Sequence, residues 1–279
     1  MLAQQRQVRI LAELRRSGAV KVAELTDLLG VSDMTIRRDL EQLAAEGVAR
    51  KVHGGAVLAG QVAFEPGFAA KSQLAQPAKQ AIAERAATLI SPGAAIALSA
   101  GTTTWAMAAS VAAIAGLTVV TNSTTVADVI TSIDTAGRVT VILTGGVRTP
   151  SAALVGPVAD RTIANMHVDQ LFLGVHGMDT RAGYTTPNLA EAATNQAFIA
   201  SAREVVVLAD SSKWGVVGLA DIAPLDAATT VITDGGLPEE AHRALSDAVG
   251  SVLTVNVSDT GPVLVDRRAH TGSQPASGP

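Results

Sequence analysis

The sequence predicts an α/β protein in two unequal parts, a small helical head and a larger body built on a parallel sheet covered on both faces. Three observations predict it. In the first 58 residues, short apolar stripes at helical spacing end at glycines. From residue 77 onward, continuous aliphatic runs alternate with helix-period segments, the pattern of strands buried on both sides. The 279 residues are 48% hydrophobic and 16% charged, enough apolar material for a sizeable core. Aromatics are 3%, so that core is built from Ala, Val, Leu and Ile. The absence of cysteine excludes a disulfide scaffold, a cysteine-ligated metal centre and a thiol nucleophile.

Arg6, Arg9, Glu13, Arg15 and Arg16 interrupt the N-terminal apolar residues, so no secretory signal is read there. The longest nearly apolar stretch, residues 111–120, is half of the about 20 residues a membrane helix needs. A cytoplasmic protein without a membrane partner is expected. Charge is uneven: residues 1–58 hold nine Lys or Arg and seven Asp or Glu, whereas the whole chain has a net charge of −4. A mildly basic head on an acidic body is consistent with an anionic partner for the head.

In the head (1–58), Ile10, Leu11 and Leu14 mark a first helix ending before Gly18. Leu25, Leu28 and Leu29 mark a second, closed by Gly30, and Ser32 then stands where an N-cap is wanted. The third helix buries Ile36, Leu40 and Leu43 and ends at Gly47. Two β-prone runs follow around Gly54–Gly55, a hairpin turn signal. Two short helices joined by a tight Gly-Val-Ser turn form a helix-turn-helix, and the hairpin makes it winged. In such modules the second helix enters the major groove. Burial of the Ile36/Leu40/Leu43 face leaves Met34, Thr35, Arg37 and Arg38 pointing outward, together with Ser32 at the helix start. Arg pairs with guanine or binds phosphate, and Arg50, Lys51 and His53 on the hairpin suit backbone phosphates.

The run VSDMTIRRDLEQLAAEGVARKVHGGAV resembles the head of the DeoR family of bacterial transcriptional regulators. The matching residues include Val31, Ser32, Thr35, Ile36, Arg37, Arg38, Asp39, Leu40, Leu43, Gly47, Arg50, His53, Gly54, Gly55 and Ala56.

Residues 59–76 lack a sustained period, include Gly60, Pro66 and Gly67, and read as a linker. The body (77–257) then alternates. Helices are expected near 77–89, 104–113, 123–132, 156–165, 189–201 and 238–248. Strands are expected at AAIALS, LTVVT, VTVILT, QLFLGV, EVVVLA, TTVIT and SVLTVNV. Residues 258–279, poor in aliphatics and rich in Gly, Pro and Ser at the end, are expected to be disordered.

Ligands of such sheets sit at the carboxyl ends of strands. There the chain carries Ser99-Ala-Gly101-Thr102-Thr103-Thr104 opening a helix, a backbone setting that favours an anion. It is neither a Walker A nor a GxGxxG pattern, so no nucleotide cofactor is indicated. Asn122, Gly145-Gly146, His176, Thr186, Asn188, Glu191 and Lys213 stand at the other strand ends. Each of these, taken alone, also fits a turn, a cap or a surface residue.

SAGTTT, VVTNS, LTGGV, GYTTPN-x-x-EA and VVLADSSKWG are similar to the DeoR sensor domain, whose fold resembles ribose-5-phosphate isomerase. The resemblance implies that Gly101–Thr104 hold a phosphate with Lys213 as its charge partner. It implies that Asn122, Gly145, Gly146, Thr186, Asn188 and Glu191 line a sugar pocket. Ser99 and His176 stand where the family often has Asp, which makes the pocket less negative. The reading is therefore a homo-oligomeric (dimeric or tetrameric) regulator, a repressor of carbohydrate genes, that binds double-stranded operator DNA under control of a phosphorylated sugar or polyol. The alternative is a sugar-phosphate isomerase with a fused head, in which Glu191 would be the base and His176 an acid.

Overall fold

In the head, Ile10 and Leu14 are four residues apart and both are wholly buried, as one stripe of α1 (Ala3–Ser17). They pack on Leu25 of α2 (Val22–Leu29) and on Ile36, Leu40 and Leu43 of α3 (Asp33–Ala45). Gly30 ends α2 in the left-handed conformation that favours glycine. These are features of a computed structural model, which describes residues 2–17, 19–46, 48–52, 54–58, 67–257 and 263–265.

The hairpin is β2 (Ala49–Val52) and β3 (Gly55–Leu58), and a strand too short to show in the sequence, β1 (Ala19–Lys21), completes a sheet ordered β1-β3-β2. Gly55 pairs with Lys21, and a Cβ there would meet the Val20 carbonyl oxygen at 2.0 Å. Beyond the hairpin, residues 59–66 lie outside the described residues. Residues 67–76, expected as part of a linker, instead hold a short helix, α4 (Phe68–Ser72), and the first residue of α5 (Gln76–Ala87).

The body continues β4 (Ala95–Leu98), α6 (Thr102–Ala112), β5 (Thr118–Thr121), α7 (Thr124–Ile133), β6 (Thr140–Leu143), β7 (Val147–Arg148), β8 (Leu154–Val155) and α8 (Pro157–Ala164). After these come β9 (Val168–Gly174), β10 (Gly177–Asp179), β11 (Gly183–Thr186), α9 (Leu189–Ser201), β12 (Ala202–Leu208) and β13 (Ala220–Ala223). The last elements are β14 (Thr230–Asp234), α10 (Glu239–Ala248), β15 (Ser251–Asn256) and β16 (Val263–Val265).

The main sheet runs β16-β15-β14-β12-β9-β4-β5-β6, parallel throughout except for β16. Successive residues of its central strands serve opposite faces. Phe172 joins one core with Ile82, Leu98 and Met107, while Leu171 and Leu173 join the other with Phe198 and Val207. That double coverage is why these strands read as unbroken aliphatic runs. The chain starts at β4 and moves out through β5 to β6. It then returns to the other side of β4 as β9 and moves out through β12 and β14 to β15. The direction of winding reverses between β4 and β9, and such a reversal opens a crevice at the strands' carboxyl ends.

Three departures from the sequence reading stand out. An antiparallel sheet, β10-β11-β13, was not expected, and GYTT, read as a loop before a helix, forms β11 within it. A small ribbon, β7 with β8, lies between β6 and α8. In the tail expected to be disordered, β16 pairs antiparallel with β15; the rest of residues 258–279 lie outside the described residues.

Candidate functional site

The α3 helix begins at Ser32, whose hydroxyl accepts from the Thr35 amide at 3.3 Å and lies 2.9 Å from the Thr35 hydroxyl. Met34 is 76% exposed, and Arg37 and Arg38 are exposed beside it. Arg37 forms an ion pair with Asp33 one turn earlier. The outward residues expected from the sequence thus share one exposed face of α3, with Thr35 half-buried at its edge. Asp39, in the middle of the same run, is turned inward. It is 3% exposed and accepts from Arg6 of α1, with Nη2 to Oδ1 at 3.0 Å. That pair fastens α3 to α1 and leaves the arginines outside.

On the wing, Lys51 is exposed and its ammonium lies 2.7 Å from Glu41 of α3. His53 lies outside the described residues. Arg50 departs from expectation. Its side chain is half-buried and turned toward the body, where Nη1 donates to the Ser212 carbonyl oxygen. The head also meets the linker region, through Lys21 Nζ donating to Gln73 Oε1 at 2.7 Å.

The second site is a crevice at the β4/β9 reversal. It is lined by Gly101, Thr102 and Thr103 at the start of α6, and by His176, Thr186, Glu191 and Lys213. Those seven were singled out in the sequence. Sequence reasoning missed the others: Phe68 and Lys71 of α4, Ala100, Ser151, Gly174, Val175, Asn195 and Ile222. Asn195 has a partial signal, since it stands one turn after Glu191 on α9. Phe68 and Lys71 have none, because they come from a segment without a period. Phe68 packs edge-on against Trp105 of α6, with ring centroids 5.8 Å apart.

Six sequence-predicted residues are placed outside the crevice wall, each holding the frame. The buried Ser99 hydroxyl accepts from the Gly174 amide at 2.9 Å, tying β4 to β9. Thr104 donates to the Gly101 carbonyl at 3.0 Å. Asn122 accepts from Ala100 N at 2.8 Å and donates to Leu154 O at 3.1 Å. Gly145 and Gly146 make the turn into β7, where a Cβ on Gly146 would meet Val155 O at 2.6 Å. Asn188 caps α9, accepting from Ala190 N at 2.9 Å.

The crevice is cationic. Lys213 sits in the turn after Asp210, and burial pushes its ammonium pKa down, opposed by Asp210 and reinforced by Lys71 and Arg50. Lys79 of α5 is 5% exposed and donates to the Lys71 carbonyl at 2.6 Å; burial and the charge of Lys213 push it down to about 7. His176 is pushed down to about 3, by burial and then by Lys213, Lys71 and Arg50. Its imidazole is therefore neutral at physiological pH, and its buried Nδ1 has no hydrogen-bond partner. Glu191 accepts from Thr149 at 2.7 Å and from Ser151, and faces Thr186. The arrangement offers a helix N-terminus and ammonium groups for an anion, with a neutral imidazole and a carboxylate for hydroxyls. Among the described residues, no group of three or more His, Asp or Glu is placed to hold a metal ion, and no helix is long and apolar enough to cross a membrane.

Two family models match the chain. Residues 6–62 match the DeoR-like helix-turn-helix domain and residues 75–235 the DeoR C-terminal sensor domain. The HTH-type transcriptional regulator YgbI of Escherichia coli is 39% identical over 88% of this chain and 95% of its own length. The HTH-type transcriptional regulator GlpR of Haloferax volcanii is 36% identical over 91% of this chain and 98% of its own. Among solved structures, ribose 5-phosphate isomerase A of Methanocaldococcus jannaschii is similar at a TM-score of 0.36 and 15% identity, over 49% of this chain and 53% of that one. At that score the likeness says nothing of activity. With both halves of the chain matched in order, and relatives of this identity matched nearly end to end, the chain belongs to the DeoR family of helix-turn-helix transcriptional regulators.

Proposed function

We propose that this regulator is a cytoplasmic repressor of carbohydrate genes whose hold on operator DNA is released by a phosphorylated sugar or polyol. The carrying observation is the crevice at the β4/β9 reversal. Its wall combines the N-terminus of α6 with Lys213, Lys71, His176, Thr186 and Glu191. The helix start and the ammonium groups suit a phosphate, and the imidazole, hydroxyl and carboxylate suit sugar hydroxyls. Met34, Thr35, Arg37 and Arg38 present the groove-reading face. Sugar-phosphate turnover is the less favoured reading. The Thr149 and Ser151 hydroxyls donate to Glu191 Oε1 and the Thr186 hydroxyl to Oε2, occupying acceptor positions a general base would use.

Self-association is part of the proposal. β6 is an edge strand, its Leu143 is 44% exposed, and Val147 and Val158 beside it are 72% and 64% exposed. Val158 packs near Gly145, so these residues form one apolar patch on an unpaired edge.

The test is a thermal-shift comparison of phosphorylated sugars and polyols with their unphosphorylated parents. A cognate phosphate ester at a hundredfold excess over Kd is expected to stabilise the protein by about 2.7 kcal/mol. Lys213→Ala is expected to lose that response. Equal stabilisation by the unphosphorylated parent, or an unchanged response in Lys213→Ala, would overturn the reading.

A further inference from the structure

Resting on that reading, the geometry around Ser212 points to an anion site that is not confined to the sensor. We propose that the wing and the α4 helix complete it. Arg50 of β2 and Lys71 of α4 join Lys213 in holding a phosphate monoester dianion, so that an occupied site fastens the wing to the body and withdraws Arg50 from duplex DNA.

The observations converge on one turn. Arg50 donates to the Ser212 carbonyl, one residue before Lys213. One bond to a carbonyl engages one of the five N–H donors of a guanidinium. Lys71 and Lys213 both line the crevice, and Lys79 stands behind Lys71, bonded to its carbonyl. Around this cluster the carboxylates are Asp210 and Asp234, both engaged by the turn itself through Ser212 and Ser211, and Glu191 in the crevice wall. A phosphate monoester offers two charges and several acceptor oxygens, which Arg50, Lys71 and Lys213 can hold together by charge-assisted hydrogen bonds.

Two further contacts carry the coupling from the crevice to the head. Lys21 of β1 donates to Gln73 just after α4, and Phe68 of α4 packs on Trp105 in the first turns of α6, the helix whose start would face the phosphate. Arg50 therefore has two mutually exclusive employments, on operator phosphate or on effector phosphate. A ligand that binds the docked state better than the undocked one shifts the balance toward release.

The experiment uses the full chain and inorganic phosphate, titrated against chloride at constant ionic strength. It follows the intrinsic fluorescence of the two tryptophans, Trp105 and Trp214, and hydrogen exchange of the peptide spanning 49–52. Wild type is expected to bind phosphate, with slowed exchange in β2. Arg50→Gln is expected to bind roughly tenfold more weakly, the size of one charge-assisted hydrogen bond. Arg85→Ala, which removes a half-buried cation elsewhere on α5 that does not line the crevice, is expected to bind as wild type. Arg50→Ala is the second variant, so that a perturbed wing in one is caught by the other. Phosphate affinity unchanged or raised in both Arg50 variants, or β2 exchange indifferent to phosphate, overturns the shared site while leaving the sensor reading intact. Failure of wild type to bind phosphate, with Lys213→Ala no different, overturns the sensor reading itself.

Discussion

Lys79 is the residue whose surroundings make the sharpest demand on pH. It lies under α4, nearly free of solvent, bonded to a backbone carbonyl and facing Lys213. In the unfolded chain it holds its proton to about 10.5, and in the folded body to about 7. Between those values unfolding takes up a proton, so stability rises as pH climbs from about 7 toward about 10. Lys79→Met removes the cost of burying the charge. It is expected to exceed wild type in chemical-denaturation midpoint at pH 6.5, with the advantage shrinking toward pH 10. A pH-independent difference would count against it. At this scale the sequence showed residue types at strand ends but not their partners. His176, Thr186, Glu191 and Lys213 do meet in the crevice, whereas Ser99, Asn122 and Asn188 hold backbone together. Both groups look alike in one dimension, because a polar residue after a strand serves equally as cap or as ligand. Lys79 and Lys71 were illegible for another reason. A lysine on a helix reads as solvated, and nothing in the chain tells that the Lys79 ammonium will reach the Lys71 carbonyl.

Elements were more legible where they are long and covered on both faces. β9 and β12 declared themselves as aliphatic runs because Phe172 and Val206 serve one core, and Leu171 and Val207 the other. β10, β11 and β13 did not, being short, antiparallel and interrupted by Gly and polar residues. β1 is three residues long and is defined by its pairing to β3 rather than by any pattern of its own. That pairing explains the second glycine of the hairpin. A methyl group at Gly55 would stand 2.0 Å from Val20 O, so Gly55→Ala must push β1 off the sheet. Overpacking of this kind costs about 1–3 kcal/mol, and more where backbone is struck. Limited proteolysis of the full chain should show cleavage within residues 1–58 while the body resists, and retained protection of the head would contradict the packing.

Across the whole molecule, the proposed self-association would use the patch at the β6 edge. A two-fold axis there would bring the same residues of two copies together and spread two heads to fit two half-sites. Val147→Glu combined with Val158→Glu places charges at the centre of that patch. Sedimentation is expected to show the mass of the assembly falling by half, with the chain still folded; an unchanged mass would move the interface elsewhere.

The perpendicular contact of Phe68 with Trp105 has an optical corollary. An indole clamped edge-to-face in an asymmetric setting absorbs left- and right-handed near-ultraviolet light unequally. The chain has two tryptophans, and one of them is gripped by the helix that bridges reader and sensor. Any swing of that bridge would be written into the dichroism of Trp105, giving the molecule a built-in gauge of its own posture.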